Sequence, residues 1–338
     1  MKPSATTDAA THSKHGHRRW IRPLAASLLL TLFAIELIYA WPSLTTALNQ
    51  LRAPRPGWLA AALIAELAAM AAYARMQRRL LRSAGVRVSI YRHAALAYAA
   101  HSLSVTLPGG PAFSTRFNYQ QMRRFGASPA VASWCIALSG ILSAGALAVI
   151  TTASALATQG APPWHTLIGL AVVALLLTGG IRRLTRHPRA VESAVHAVLA
   201  RLNRLRHRPA ADGLDRIIGF ARQLGAARLP PGHAAGATTY ALLNWLLDAA
   251  CLWLCLHAVS NADISTTRLL LAFCAGYAAA SITIVPGGLG VIDSALILGL
   301  AAGGIDTDTA FATVVLYRII SLGVIISAGW ITWTVIRR

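Results

Sequence analysis

The tripeptide Pro108-Gly109-Gly110 returns 178 positions later as Pro286-Gly287-Gly288, which Leu289 and Gly290 follow. Both copies interrupt tracts of apolar residues. Proline has no N–H to donate and glycine adds backbone freedom, so a helix that meets both must stop. Inside a bilayer, a broken helix is tolerated only where its freed backbone groups are buried in protein or line a wet cavity. Two such breaks at corresponding positions of two halves predict a transport site.

The composition is that of a membrane protein. Of 338 residues, 56% are hydrophobic and only 12% are charged, which excludes the ordinary soluble classes. The formal net charge is +20, but the basic residues lie between apolar tracts, as in cytoplasmic loops. Nucleic acid is therefore not a predicted partner.

The apolar tracts predict an all-α polytopic membrane protein with about six full transmembrane helices and two re-entrant helical hairpins. The predicted crossings are residues 23–41, 58–76, 128–157, 164–181, 236–259 and 309–336. Residues 94–107 and 112–125 flank the first break and are each about 21 Å long as helices, too short to cross. Residues 267–285 precede the second break and are about 28 Å long, so a full crossing and a re-entrant arm both remain open.

Arginine-rich segments orient the chain in the membrane. The residues after the second span are predicted to be a basic cytoplasmic loop that contains Arg75, Arg78, Arg79, Arg82, Arg87 and Arg92. The last span ends at Arg337 and Arg338. We therefore expect both termini in the cytoplasm of a bacterial inner membrane, with residues 1–19 as a disordered tail and 20–338 as a single transmembrane domain.

Residues 182–235 form a basic insert with apolar residues at helical spacing. Basic amphipathic helices bind anionic membrane surfaces, so anionic phospholipid is a predicted partner of this insert. A solvated loop that only enforces the topology is the alternative.

Two halves of the chain align at the offset of 178. Gly126 aligns with Gly304, and Ser128, a predicted helix cap, aligns with Asp306. Asp306 or Thr307 is predicted to cap the final span. We predict one unit over residues 58–157 and a second over 236–336. Three predicted crossings separate their starting points, so the second unit is expected to be inverted, as in alternating-access transporters.

Polar side chains in the spans are the candidate site, because an ionisable residue near a bilayer centre is costly unless it is paired or hydrated. The candidates for binding a lipid head group or lining a cavity are Glu66, Arg116, Asn244, Asp248, Asp293, Tyr317 and Arg318. Arginine suits phosphate, since its planar fork contacts two oxygens. Purely structural ion pairs among these residues are the alternative.

Motifs for other chemistry are missing from the sequence. It has no nucleophile-elbow, zinc-protease or P-loop pattern, so no catalytic residue or cofactor is predicted. The cysteines Cys135, Cys251, Cys255 and Cys274 have no completing ligands nearby, and we interpret them as packing residues rather than a metal site.

At these motifs the sequence resembles the lysylphosphatidylglycerol synthase transmembrane-region family, from about residue 20 onward. The first break followed by Arg116, the Pro-x-Gly-Leu-Gly-Val sequence at 286–291 followed by Asp293, and the pair Tyr317-Arg318 carry the resemblance. The family often has an acid–arginine pair where this chain has Ser139 and Gly140. The resemblance implies movement of lipid between leaflets. No aminoacyl-transferase domain follows the last span, so synthesis of a lysyl-lipid is not expected.

Three functions remain open from the sequence. The first is a flippase-like or scramblase-like translocator of a phospholipid or related amphiphile. The second is a membrane-embedded lipid-modifying enzyme, for which Glu66, Asp248 and Asp293 are the only acids available at depth. The third is an accessory subunit of a lipid or glycolipid pathway that recruits a partner through the basic insert. The oligomeric state is not predicted.

Overall fold

The computed structural model of the protein describes residues 54–107, 109–159, 229–280, 288 and 290–337. The predicted tail, the predicted crossings at 23–41 and 164–181, and the insert up to residue 228 lie outside the described residues. Within the described ranges the chain is helical and contains no strand.

The described helices follow one another along the chain. They are α1 (Pro56–Ser83), α2 (Ile90–Thr106), α3 (Gly110–Arg124), α4 (Pro129–Gln159), α5 (Pro231–Val259), α6 (Thr266–Ala280), α7 (Val291–Ala302), α8 (Thr307–Arg318) and α9 (Ile325–Arg337). A π-helical segment, Ile319–Val324, joins α8 to α9. Among the described residues, four stretches are long and apolar enough to cross a membrane, namely Pro56–Ser83, Pro129–Ala157, Pro231–Val259 and Thr307–Thr334. The prediction of a helical, multi-pass membrane protein is confirmed.

The basic segment after the second predicted span is mostly helix, so the prediction of a loop at Arg75–Arg82 was wrong. α1 continues to Ser83 and carries Arg75, Arg78, Arg79 and Arg82 in its C-terminal turns. Arginine and leucine are good helix formers, and no breaker occurs before Gly85. Gly85 has φ +84°, and the N–H of Val86 donates to the carbonyl of Leu81 at 3.0 Å, which closes the helix end.

The first helix break lies where the sequence predicts it. α2 ends at Thr106 and α3 begins at Gly110; as helices of 17 and 15 residues they are about 25 and 22 Å long. Gly109 has φ +71°, a conformation that glycine adopts without steric cost. A Cβ on Gly110 would collide with the carbonyl of Ser104, so this turn also requires a close approach of backbone to backbone.

We expect Gly110→Ala to lower the free energy of unfolding by about 1–3 kcal/mol, because the added methyl overpacks the turn. Gly109→Ala should cost about 1–2 kcal/mol through its left-handed conformation alone. Unfolding of the purified protein followed by circular dichroism measures both.

Gly140→Ala in α4 is the matched control, since a Cβ there meets nothing within 4 Å. It should stabilise the helix by about 0.5–1 kcal/mol, because alanine is the better helix former. Destabilisation of similar size by Gly110→Ala and Gly140→Ala would contradict the contact with Ser104.

The second break also separates two helices, α6 and α7. Gly288 and Gly290 have φ +62° and +81°. Pro286 and Gly287 lie outside the described residues, as does Pro108 in the first break. α6 contacts α7 closely, because a Cβ on Gly299 would lie 2.6 Å from the Cβ of Ala272. α6 covers 15 residues, or about 22 Å, and the final residues of the predicted 267–285 stretch are not described.

The connections α3–α4 and α7–α8 form the same hydrogen bonds at the offset of 178. The N–H of Ala127 donates to the carbonyl of Met122 at 3.1 Å, and the N–H of Ile305 donates to the carbonyl of Leu300 at 3.1 Å. The cap predicted at Ser128 is confirmed, since its Oγ accepts from the N–H of Val131 at 3.2 Å.

The predicted cap at Asp306 is confirmed in the same way. Its carboxylate accepts from the N–H of Thr309 at 3.2 Å. The two aligned glycines also agree, with φ +91° at Gly126 and +100° at Gly304. The local structure after each break is therefore repeated.

The helices of the two predicted units pack together reciprocally. α1 packs along α5, α2 packs on α9, and α6 packs on α4. Gly329 of α9 lies so close to α2 that a Cβ would lie 2.5 Å from the side chain of Ser102. All four cysteines are buried and free.

Candidate functional site

Six polar side chains from five helices form what we call the polar cluster. Its members are Glu66 of α1, Asp248 of α5, Tyr277 of α6, Asp293 of α7, and Tyr317 and Arg318 of α8. Glu66 and Asp248 lie well inside their apolar spans, more than two turns from either helix end. Burying such groups in an apolar span is costly unless they are paired or hydrated, so they are candidates for a functional site.

Asp248 is the acceptor at the centre of the cluster. The hydroxyl of Tyr317 donates to Oδ1 at 2.7 Å, and the hydroxyl of Tyr277 lies 3.0 Å from Oδ2. The two hydroxyl oxygens are 2.6 Å apart. Tyr317 is fully buried, and Asp248 and Tyr277 are half-buried. The three side chains form a closed ring of polar contacts that ties α5, α6 and α8 together. The two hydroxyl protons supply two of its hydrogen bonds, and a third requires a proton on the Asp248 carboxyl.

Glu66 extends the ring toward α1. Its carboxyl interacts with the side chains of Asp248 and Cys251, while its Oε2 is buried without a hydrogen-bond partner among the described residues. Only 4% of Glu66 is exposed. Two acidic groups therefore meet inside the apolar layer, and one acceptor oxygen remains unused.

Asp293 connects the second glycine turn to the last span. Its Oδ2 accepts from the N–H of Gly290 at 2.8 Å, and its Oδ1 pairs with Nε of Arg318. The turn is thus fixed by a carboxylate at the start of α7, where the positive end of the helix dipole also favours an acid.

The guanidinium of Arg318 has N–H groups that do not donate to any described residue. Its Nη2 is buried and has no hydrogen-bond partner among them, although its side chain is 12% exposed. It also lies close enough to Asp248 to interact with it electrostatically. A buried guanidinium N–H without an acceptor is costly, so this atom is suited to a ligand oxygen.

Aromatic rings line the α6 side of the cluster. The ring of Trp245 packs edge to face on the ring of Tyr277, with 4.9 Å between the ring centres. The ring centres of Phe273 and Tyr277 are 4.7 Å apart. The Trp245 Nε1–H donates to the carbonyl of Ser143 at 2.9 Å, which anchors the indole to α4. The polar ring is therefore held between rigid apolar side chains.

Two predicted site residues lie apart from the cluster. Arg116 is exposed on α3, and no described residue forms an ion pair with it. Asn244 is half-buried one turn before Asp248, and no hydrogen bond within the described part joins it to the cluster. Their roles in a site stay predictions.

Tyr277 and the π-helical segment were not predicted from the sequence. Tyr277 is a single tyrosine in an apolar tract. From the sequence alone, such a residue cannot be distinguished from a tyrosine at the membrane interface. The π-helical segment begins directly after Arg318, and such segments are frequent at functional sites. Among the described residues, no group of three His, Cys, Asp or Glu side chains has the arrangement of a metal site.

A comparison with protein families identifies the chain over most of its length. Residues 21–329 match the family described as the lysylphosphatidylglycerol synthase transmembrane region. The chain belongs to this family. No curated protein matches the chain significantly.

The match confirms the family that the sequence motifs predicted, since it includes both glycine turns and the pair Tyr317-Arg318. The chain is therefore a multi-pass membrane protein of a family that is associated with lipid-related functions. Its polar cluster occupies the region where the second sequence motif and the last span come together.

Proposed function

We propose that this protein moves a phospholipid or related amphiphile between the leaflets of a membrane, as a flippase-like or scramblase-like translocator. The observation that carries the proposal is the buried Nη2 of Arg318 in the polar cluster, which has no hydrogen-bond partner among the described residues. A phosphate or carboxylate of a lipid head group offers the oxygen that this donor lacks.

Two oppositely oriented units are the proposed frame for this movement, with about six full crossings and two re-entrant hairpins. The matching hydrogen bonds at Ala127 and Ile305, and at Val131 and Thr309, support a repeat. Reciprocal packing supports it too, since α2 of one unit contacts α9 of the other and α6 contacts α4. A pseudo-two-fold axis produces this exchange of partners.

The site itself is not duplicated. Five of its side chains come from the second unit, and Glu66 comes from the first. At the offset of 178, Tyr317 and Arg318 align with Ser139 and Gly140, and the Ser139 hydroxyl donates to the carbonyl of Cys135 at 2.7 Å. We infer one head-group site at the boundary of the two units rather than two equivalent sites.

The head group is proposed to bind at Arg318 while the acyl chains stay in the hydrocarbon. Asp293 holds the guanidinium in place, and the glycine turn that Asp293 caps brings backbone close to the ligand. Arg116 is proposed to contact lipid at a separate point, since it is exposed on α3.

The orientation completes the proposal. We infer a bacterial inner membrane with both termini in the cytoplasm, a tail at 1–19 and a transmembrane domain at 20–338. The basic insert at 182–235 is proposed to lie on anionic phospholipid, because clusters of arginine bind such surfaces.

A lipid-modifying enzyme is the alternative function, and one contact in the polar cluster favours it. Glu66 and Asp248 bring two carboxyl groups together, and paired acids are a common acid–base arrangement. Mass spectrometry of lipids from a deletion strain separates the two functions. A missing lipid species would support the enzyme, whereas an unchanged inventory with altered sidedness supports translocation.

We expect the purified full chain, reconstituted into liposomes, to speed the exposure of a fluorescent phospholipid to an external quencher. Empty liposomes are the control. Equal rates with and without protein, for both zwitterionic and anionic phospholipids, would contradict the function.

A further inference from the structure

A pocket lined by four arginines lies away from the polar cluster, between the C-terminal part of α1 and the start of α5. Its volume is about 350 Å³, and its lining residues are Arg75, Arg78, Arg79, Arg82, His233 and Tyr240. Arg79 follows Glu66 by 13 residues, or about 20 Å along the helix. The pocket is therefore distinct from the proposed translocation site.

The lining of this arginine pocket carries no acidic side chain among the described residues. Among the described residues, Arg78 donates from Nε to the carbonyl of Val88 at 2.9 Å, and Arg79 donates from Nη1 to the carbonyl of Gly232 at a longer 3.5 Å. No described residue forms an ion pair with Arg75 or Arg82. Like charges held this close repel each other, so the arrangement favours binding of an anion.

Arg79 is positioned by its surroundings rather than left free. Its guanidinium carbon lies 5.5 Å from the centre of the Tyr240 ring, a cation–π distance. One turn before Tyr240 on α5 it also lies against Gly236, where a Cβ would lie within 2.4–2.8 Å of the guanidinium. The glycine thus leaves the space that the guanidinium fills.

His233 gives a second indication of a ligand. Its Nδ1 is buried and has no hydrogen-bond partner among the described residues, although the residue lines the pocket. It lies in the first turn of α5, whose positive dipole end also favours an anion.

We propose that the arginine pocket binds a phosphate group of high charge, such as a phosphomonoester or a pyrophosphate. Planar guanidinium forks match phosphate oxygens, and several together favour a group that carries two or more charges. The pocket volume is at the lower end for small-molecule sites, which suits a head group or a small phosphorylated compound. The ligand comes from a lipid or from solution, and both sources present the same chemistry.

Two probes distinguish the sources, each with the full-length purified protein. The first is inorganic pyrophosphate, added to protein in phosphatidylcholine nanodiscs and followed by the rise in unfolding temperature. The second is retention of phosphatidic acid over phosphatidylglycerol in mixed nanodiscs, measured by native mass spectrometry. Saturable binding of pyrophosphate supports a soluble ligand, and selective retention of phosphatidic acid supports a lipid. Binding of neither probe overturns the proposal.

Arg79→Ala should weaken binding of the probe at least tenfold, the loss expected for one charged hydrogen bond. Gly236→Ala should weaken it similarly, because the methyl displaces the Arg79 guanidinium. Arg87→Ala is the matched control, since Arg87 is exposed nearby but does not line the pocket. Equal losses in Arg79→Ala and Arg87→Ala would indicate a solvated basic face and overturn the pocket, as would unchanged binding by Arg79→Ala. Arg79→Lys keeps the charge, and if it folds normally and binds as the native chain does, the guanidinium-specific site is overturned.

Discussion

Arg318→Ala will slow lipid translocation at least tenfold in reconstituted liposomes. The substitution removes the donor proposed to hold the head group, and a hydrogen bond to a charged group contributes about 1.5–3 kcal/mol. It also leaves the Asp293 carboxylate without its arginine partner, so the protein should unfold at a lower temperature. A rate measured at matched protein incorporation separates the two effects.

The double variant Arg318→Ala/Asp293→Ala decides whether the pair is functional or only structural. Removing both partners relieves the unpaired carboxylate, so stability should partly recover. The N–H of Gly290 still loses its acceptor, which limits the recovery. If the pair serves translocation, the rate stays low. Recovery of the native rate in the double variant would show that the ion pair is structural and would refute the assigned role of Arg318.

Arg116→Ala provides a comparison at the other predicted arginine. Because this side chain is exposed and lies outside the polar cluster, its loss should leave stability nearly unchanged. A reduced rate in Arg116→Ala with native stability would place a second lipid contact on α3.

Tyr317→Phe and Tyr277→Phe will each lower the free energy of unfolding by about 1.5–3 kcal/mol, because each hydroxyl bonds to the Asp248 carboxyl. The two hydroxyls also contact each other at 2.6 Å, so the effects should not add. We expect the double variant to lose less than the sum of the single losses. Denaturant unfolding in detergent micelles measures the cycle.

Tyr91→Phe is the matched control for these substitutions. Tyr91 is 84% exposed, so loss of its hydroxyl should change stability by less than about 0.5 kcal/mol. Additive losses from Tyr277→Phe and Tyr317→Phe would contradict a closed ring at Asp248. If the ring also shapes the lipid site, the translocation rate should fall with the number of ring hydroxyls removed rather than with the fall in unfolding temperature.

The polar cluster links the second glycine turn to the last span. Asp293 touches the glycine turn on one side and Arg318 on the other, and Arg318 precedes the π-helical segment. Under the proposed function, a ligand oxygen that accepts from Nη2, which has no partner in the described part of the chain, would act on the turn and on the last span together. This connection gives a physical route from head-group binding to a change in the packing of α7 against α8.

Local features were predictable because neighbouring residues determine them. The helix starts at Ser128 and Asp306 follow from side chains that accept from N–H groups three residues later. The break at Gly109 follows from proline and glycine chemistry within a few residues. The sequence alone was less reliable at Arg75–Arg82, where the run of arginines predicted a loop but helix propensity continued the helix.

The sequence by itself determined the class of the protein, the places where its helices break, and the set of polar side chains inside its apolar tracts. Only the tertiary structure decided which of them meet. Tyr317 and Asp248 are 69 residues apart in the chain, and Arg318 and Asp293 are 25 apart, so no local spacing relates them. Helix packing selects these partners, because a buried polar group is stable only beside one that satisfies it, and that choice depends on how whole helices pack together.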